Sequence, residues 1–432
     1  MKTDFTADQL QTSEIKTADA ILRSCVHCGM CTATCPTYLT LGDELDSPRG
    51  RIYLIKDMLE DETRPVGPAA QHLDRCLSCL ACMTTCPSGV DYMHLIDMAR
   101  DHVETHYRRP LFERLYRRFL GLVLPQPWLF RLTMRMAALA RPFKGLFPAR
   151  LKPALDLVPP RLAAPSPTDR PHVFPAEGER RKRVALLSGC AQPVIEPSIN
   201  AAAIRLLTRL GCEVVVAKGA GCCGALNHHL GQAAQFRHAA KRNIAAWLGA
   251  REAGGLDAIL ITTSGCGTVI KDYGYLFRED PEWADKAKAV SEMTQDISTF
   301  LAGFDLAPVR RTGQPIAYHA ACSLQHGQRV LGAPKALLTA AGFAVRDIPE
   351  GHLCCGSAGT YNLMQPEIAG ALRTRKLANI ALTSAKAVVA GNVGCITQMR
   401  AGGGLPVLHL VELIDWATGG PLPPVLEENP DF

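Results

Sequence analysis

Residues 25 to 36 read CVHCGMCTATCP and residues 76 to 87 read CLSCLACMTTCP, two copies of C-x-x-C-x-x-C-x-x-x-C-P offset by 51 residues. Three thiolates at this spacing wrap one corner of a cubane iron–sulfur cluster, and the fourth, turned away by the proline after it, reaches the neighbouring cluster. That rule sorts the eight cysteines into two crossed sets. Cys25, Cys28, Cys31 and Cys86 form the first, and Cys76, Cys79, Cys82 and Cys35 the second. Zinc favours C-x-x-C pairs parted by a longer spacer, so the spacing points to two 4Fe-4S clusters.

Eight further cysteines recur in step. Cys190, Cys222 and Cys223 are followed by Cys322, Cys354 and Cys355 at an offset of 132 residues, and Cys266 by Cys395 at 129. Four matched positions indicate an internal duplication. A disulfide within Cys222–Cys223 or Cys354–Cys355 would need a strained ring far from ordinary disulfide geometry. The odd total of 17 cysteines also speaks against a disulfide framework. The expectation is a four-thiol metal or cluster site in one or both copies, with Gly224 letting the backbone come close beside its cysteine pair. His228, His229, His319 and His352 fall nearby and could substitute as ligands, though each reads first as an ordinary polar loop residue.

The positioning elements alternate. In the first copy RVALLSGC, EVVVAKGAGCCG and LDAILITTSGCG read as strand and loop, separated by helical PSINAAAIRLLTRLG and QAAQFRHAAKRNIAAWL. The second copy repeats the order from PIAYHAAC to AKAVVAGNVGC. Strands joined by helices imply a parallel sheet, and every cysteine falls just after a strand, at the carboxyl edge where such sheets build their sites. Between the N-terminal runs, SPRGRIYLIKDMLEDE reads as a helix capped by Ser47, with Arg49 and Arg51 placed either to face a net-negative cluster or to form a solvated basic helix start.

Residues 107 to 153 differ in composition, with eleven Arg and Lys against one Glu, while the whole chain carries only +6. Arginines alternate with Phe119, Trp128 and Phe130, which predicts one or two basic amphipathic helices broken near PQPW and suited to a membrane surface or to this protein's own domains. The Pro-rich stretch after it reads as a linker. The mild net charge gives no reason to expect nucleic acid. The start MKTDFTADQL lacks the basic and apolar regions of a secretory signal, and no run of about 18 apolar residues occurs, so a cytoplasmic location is expected. No G-x-G-x-x-G or P-loop occurs, so neither flavin nor nucleotide is expected on this chain.

The pattern of a cysteine, about 30 residues, CCG, about 40 residues and a last cysteine resembles the duplicated cysteine-rich domain of heterodisulfide-reductase-type subunits. That family closes with C-x-x-C, where Thr263 and Asn392 stand here. With the stretch CVHCGMCTATCPTYLTLGDELDSPRGRIYL and the closing HLVELIDWATG, essentially the whole chain resembles the iron–sulfur subunits of glycolate oxidase, and more distantly those of lactate utilisation and anaerobic glycerol-3-phosphate dehydrogenase. The resemblance implies a mainly α-helical two-cluster ferredoxin domain at 1–106 and a basic segment with linker at 107–180. Two cysteine-rich α/β repeats with parallel sheets would follow at 181–312 and 313–432. It also implies FAD-bearing partner subunits, electron transfer toward a quinone, no catalytic residue on this chain, and a peripheral place on the inner face of the cytoplasmic membrane. The lactate and glycerol-3-phosphate systems, or disulfide cleavage at the CCG sites, are the alternatives.

Overall fold

The computed structural model describes residues 1–61, 63, 65–148, 152–159, 162–429 and 432. In the N-terminal part, the helices Ser13–Ser24, Pro48–Glu60, Gly67–Asp74 and Tyr92–His106 bury Leu22, Ile55, Leu73 and Leu95 against one another. The Ser47 hydroxyl accepts from the Gly50 amide at 3.0 Å, the expected cap. Of the cysteine runs, Cys31 and Cys82 lie in the short helices Met30–Thr34 and Ala81–Thr85, and the other six lie in the irregular backbone around them.

Two α/β repeats follow. In the first, β1 (His172–Phe174), β2 (Lys182–Leu186), β3 (Cys212–Val216), β4 (Ala258–Ile261) and β5 (Thr294–Asp296) form a sheet of order β1-β3-β2-β4-β5. In the second, β6 (Pro315–His319), β7 (Ala344–Asp347), β8 (Ala387–Ala390) and β9 (Val407–His409) are ordered β7-β6-β8-β9. All pairings are parallel except β1 with β3. Strand β1 departs from the linker reading of this stretch: His172, Val173 and Phe174 cover an edge of β3 that would otherwise leave backbone groups unpaired. Cys266 and Cys395 depart from the loop reading, because they lie in the first turns of the helices Ser264–Lys271 and Val393–Arg400.

The repeats share one apolar core running from Val184 and Leu206 to Val389 and Ile414. Arg205 and Arg209 both bond the buried Asp415 carboxylate at 2.6 Å, and the His409 ring nitrogen Nε2 lies 2.7 Å from the Thr262 carbonyl oxygen. The copies are therefore one packed block.

The basic segment forms the helices Leu111–Val123 and Pro127–Ala140, parted at Leu124–Gln126. One side packs inward through Leu120, Val123 and Phe130, and the buried Arg117 donates to the Leu230 carbonyl at 3.1 Å. The other side leaves Leu115, Phe119, Leu122, Trp128, Leu132, Met136 and Leu139 exposed. Phe130 therefore faces the protein rather than sharing a surface with Trp128 and Phe119.

The helix Tyr92–His106 pins the N-terminal part to the first repeat. His228 lies 3.1 Å from the buried Asp97 carboxylate. His94 sits between Asp91, 2.5 Å away, and Asp272, 3.1 Å away, with its ring stacked on Tyr275 at 3.5 Å. Burial works against the charged imidazole, but the carboxylates outweigh it and hold its pKa at about 9. Against an unfolded value of about 6.5, this contribution is complete below that pH and is lost as pH rises through the folded value. Burial pushes the Asp272 carboxyl upward and takes back part of the gain, leaving about 1–2 kcal/mol. Thermal unfolding of His94→Gln should therefore fall below wild type near pH 6 and converge with it near pH 10 (about one unit above the folded pKa). An equal gap at both ends would contradict the ion-pair account.

Candidate metal centres

The backbone of the two N-terminal runs curls the same way. His27 and Gly29 adopt φ of 60° and 82°, and Ser78 and Leu80, 51 positions later, adopt 48° and 61°. Left-handed backbone at His27, Ser78 and Leu80 costs of order 1 kcal/mol per residue and recurs where a loop must wrap a site. The loops wrap two cavities. One is lined by Cys25, Cys28, Cys31 and Cys86, and by Cys82 as well. The other is lined by Cys35, Cys76, Cys79 and Cys82. Pro48 and Tyr92 also line both cavities, so the two share a wall.

The two cavities differ in exposure. Cys28 is exposed and Cys31 half-buried, whereas Cys35, Cys76, Cys79 and Cys82 are all buried. Burial raises the thiols of Cys79 and Cys82 far above their ordinary range and that of Cys31 to about 11. Unliganded, the thiols of Cys31, Cys79 and Cys82 are protonated, and a metal entering must displace those protons.

Arg51 lines the second cavity. Its side chain is 1% exposed, donates to the His72 carbonyl at 2.7 Å and to Thr37 Oγ1 at 3.0 Å, and pairs with the fully buried Asp46 at 3.3 Å. Its Nη1 is 4.0 Å from Cys35 Sγ. Arg49, in contrast, is partly exposed, pairs with Glu44 at 2.7 Å and lines the first cavity.

In the first repeat the thiols of Cys190, Cys222, Cys223 and Cys266 converge. Cys222 is held well below the ordinary thiol range by hydrogen bonds from Cys190 and Cys223, and Cys223 in turn bonds Cys266. The second repeat brings together Cys322, Cys354, Cys355 and Cys395, with Cys322 Sγ 3.9 Å from Cys354 Sγ. Amides of Gly224 and Gly356 each lie 3.4 Å from the sulfur two residues earlier, at Cys222 and Cys354. The glycines have φ of 85° and 90°, and a Cβ on Gly356 would meet the Ala369 carbonyl oxygen at 2.6 Å. Glycine therefore serves twice in each CCG, for the left-handed turn and for the helix packed over it.

The second repeat abuts the second N-terminal set. Cys79 and Cys354 share a buried cluster with Leu77 and Tyr361, against which Cys322 packs, and Tyr361 donates its hydroxyl to the Arg75 carbonyl at 3.0 Å. Two more groups join this site, His319, named above as a possible ligand, and Lys376, which the cysteine spacing gave no reason to single out. His319 ends β6 with 2% exposure, and a ring nitrogen lies within 4.8 Å of the sulfurs of Cys355 and Cys395. Burial and the nearby Lys376 push its pKa down to about 3, so the ring is neutral. Lys376, itself 2% exposed, donates to the Glu350 carbonyl at 3.0 Å. His352 is exposed, His228 lies 3.1 Å from the Asp97 carboxylate, and the ring of His229 stands 3.6 Å from that same carboxylate without a hydrogen bond from its Nδ1. Thr263 donates to Gln192, and Asn392 caps the helix Val393–Arg400 through Gly394.

Four soft donors around a loop-wrapped cavity, free of disulfides and flanked by cations, fit an iron–sulfur cluster. Comparison with known proteins agrees in kind. A family model described as a 4Fe-4S dicluster domain matches residues 21–90, and one described as a cysteine-rich domain matches 184–271 and 316–400. The glycolate oxidase iron-sulfur subunit of Escherichia coli K12 is 43% identical over 419 residues, covering 96% of this chain and 99% of that protein. The probable glycolate oxidase iron-sulfur subunit of Bacillus subtilis is 32% identical, covering 92% and 94%. Lactate utilization protein A of Bacillus licheniformis is 27% identical over 54% of this chain and 99% of its own.

Proposed function

The chain belongs to the family of glycolate oxidase iron-sulfur subunits, and from that membership we propose that it is the electron-transfer subunit of a membrane-associated complex oxidising glycolate to glyoxylate. In this reading FAD-bearing partner subunits take two electrons and two protons from glycolate, and a membrane quinone is the final acceptor. Cys25, Cys28, Cys31 and Cys86 hold one 4Fe-4S cluster, Cys76, Cys79, Cys82 and Cys35 the other, and Cys322, Cys354, Cys355 and Cys395 a third iron–sulfur centre. Bound there, such groups supply one-electron transfer at potentials set by burial and nearby charge. Cys190, Cys222, Cys223 and Cys266 stand as a further metal site. Residues 1–106 form the two-cluster unit, 107–180 the basic segment and linker, and 181–312 and 313–432 the repeats.

The observation that carries the reading is contiguity. The two N-terminal sets share a wall at Cys82, and Cys79 packs beside Cys322 and Cys354. The chain's own groups tune these places: Arg51 and Lys376 set fixed positive charge beside thiols from which water is excluded. At the outer end, Val26 and Met30 flank Cys28 with 68% and 57% exposure, an apolar patch suited to a docked flavoprotein.

The basic segment favours a lipid surface. No helix among the described residues is long and apolar enough to cross a membrane. The helix pair 111–140 instead presents an apolar face among arginines, which fits peripheral binding to anionic lipid on the inner face of the cytoplasmic membrane. A cleft of about 560 Å³ lies between the helix Leu111–Val123, the Cys76 loop and the second repeat, lined by Arg100, Tyr107, Phe112, Tyr116, Arg117 and Tyr361 among others. Phe112 belongs both to the cavity wall and to the exposed apolar residues, which supports a lipid-borne acceptor.

In membranes holding the complex, glycolate should bleach the visible absorption of the clusters and added quinone should restore it. Replacing Phe119, Trp128, Leu132 and Met136 by Ser should move the complex to the supernatant while leaving bleaching by glycolate intact. Clusters reduced by lactate or glycerol 3-phosphate but not by glycolate would overturn the substrate, and unchanged sedimentation would overturn the docking face.

A further inference from the structure

We propose that His319 is a nitrogen ligand of the metal centre in the second cysteine-rich repeat, making it a site of four sulfurs and one nitrogen that the first repeat cannot match. The inference rests on the reading that the second repeat holds iron, and adds to it the identity of one donor.

The duplication isolates the residue. The position 132 before His319 is Leu187, a buried apolar side chain, and the position 132 before Lys376 is Ile244, 0% exposed. Both copies keep their four cysteines, but only the second places an imidazole and an ammonium among them. Two apolar positions have become polar in a buried place, which costs free energy unless each polar group finds a partner.

Lys376 has such a partner in the Glu350 carbonyl, and its charge lies beside Cys354, Cys355 and Cys395. His319 does not. Its Nδ1 is buried with no hydrogen-bond partner among the described residues. The other fully buried imidazole of the repeats, His409, bonds the Thr262 carbonyl through Nε2 and accepts from the Val411 amide at 3.2 Å through Nδ1. An orphaned imidazole nitrogen costs about 1–3 kcal/mol. A metal ion held by the neighbouring thiolates removes that cost, because a neutral imidazole offers the lone pair that iron accepts.

Position agrees with chemistry. His319 ends β6 three residues before Cys322, so strand and loop deliver nitrogen and sulfur from one edge, while Cys355 and Cys395 come from the neighbouring loop and helix. A ring nitrogen and these two sulfurs already lie within 4.8 Å of one another. Asn392, nearby on the third segment, is committed to Gly394 and to Ser264 and offers no competing donor.

The test uses the full chain purified without oxygen, with histidine labelled by nitrogen-15. Pulsed EPR, recorded oxidised and reduced, should show a strongly coupled nitrogen on one centre. His319→Gln should abolish the coupling while about eight irons remain in the N-terminal sets. His319→Cys should keep that centre's iron but lower its midpoint potential, since exchanging imidazole for thiolate adds negative charge, and leave the other centres unmoved. If a centre that disappears in Cys355→Ser shows no nitrogen coupling in wild type, His319 is not a ligand and the cluster reading survives. If Cys355→Ser changes neither iron content nor spectra, the second repeat holds no iron and both ideas fall together.

Discussion

Arg51→Met should destabilise the N-terminal part by about 3 kcal/mol and strip iron from the Cys35, Cys76, Cys79 and Cys82 site before the other N-terminal site. The substitution leaves Asp46, which is 0% exposed, without the guanidinium that pairs with it at 3.3 Å. Asp46 keeps Arg75 at 2.7 Å and His72 at 3.0 Å, which places the loss at the lower end of the range for breaking a buried pair. Met replaces the volume but cannot donate to the His72 carbonyl or Thr37, so two acceptors lose their partner as well. Where the centre survives, its midpoint potential should fall, because a fixed cation near Cys35 and Cys76 favours the more negative reduced state. Arg51→Lys should lie between, keeping the charge without the fork. Thermal unfolding and a redox titration read both effects. Unfolding and potentials unchanged in Arg51→Met would mean the guanidinium is a bystander.

Cys35→Ser and Cys86→Ser provide the second large effect, because the crossed arrangement makes each act on the run to which it does not belong. Cys35 follows the first three-cysteine run yet lines the cavity of Cys76, Cys79 and Cys82, and Cys86 follows the second run yet lines that of Cys25, Cys28 and Cys31. Each variant should lose about four irons, one cubane's worth. Cys35→Ser should remove the signal that Cys79→Ser also removes, and Cys86→Ser the one removed by Cys28→Ser. Pairing of Cys35→Ser with Cys28→Ser would show uncrossed ligation.

Much of this arrangement was legible in the chain because it is local. The strands after which cysteines fall, the Ser47 cap and the break at PQPW follow from side-chain period and from turn and cap residues within a few positions of each other. Strands β1, β5 and β9 were missed because each is only three residues long and is held by pairing to a distant strand rather than by its own pattern. Phe130 was misplaced for a related reason: periodicity defines an apolar face but not which of two faces meets the protein. The contact of Cys79 with Cys322 and Cys354 joins residues more than 240 positions apart, beyond any local signal. Burial of Arg51 depends on Asp46, Thr37 and His72 arriving from three segments. His319 had a signal that spacing of cysteines alone overlooks: setting the copies in register shows His319 opposite Leu187, and a polar residue in an apolar slot asks for a ligand.

The account stands on thiol sets that hold iron in a connected array, and iron and acid-labile sulfide analysis of the anaerobically purified chain, with EPR of the reduced protein, tests it most directly. About twelve irons and as much sulfide per chain are predicted, two cubanes in the N-terminal sets and one centre in the second repeat, with magnetic interaction between the two N-terminal signals. A colourless protein carrying zinc, or one with about four irons and a single isolated signal, would contradict it.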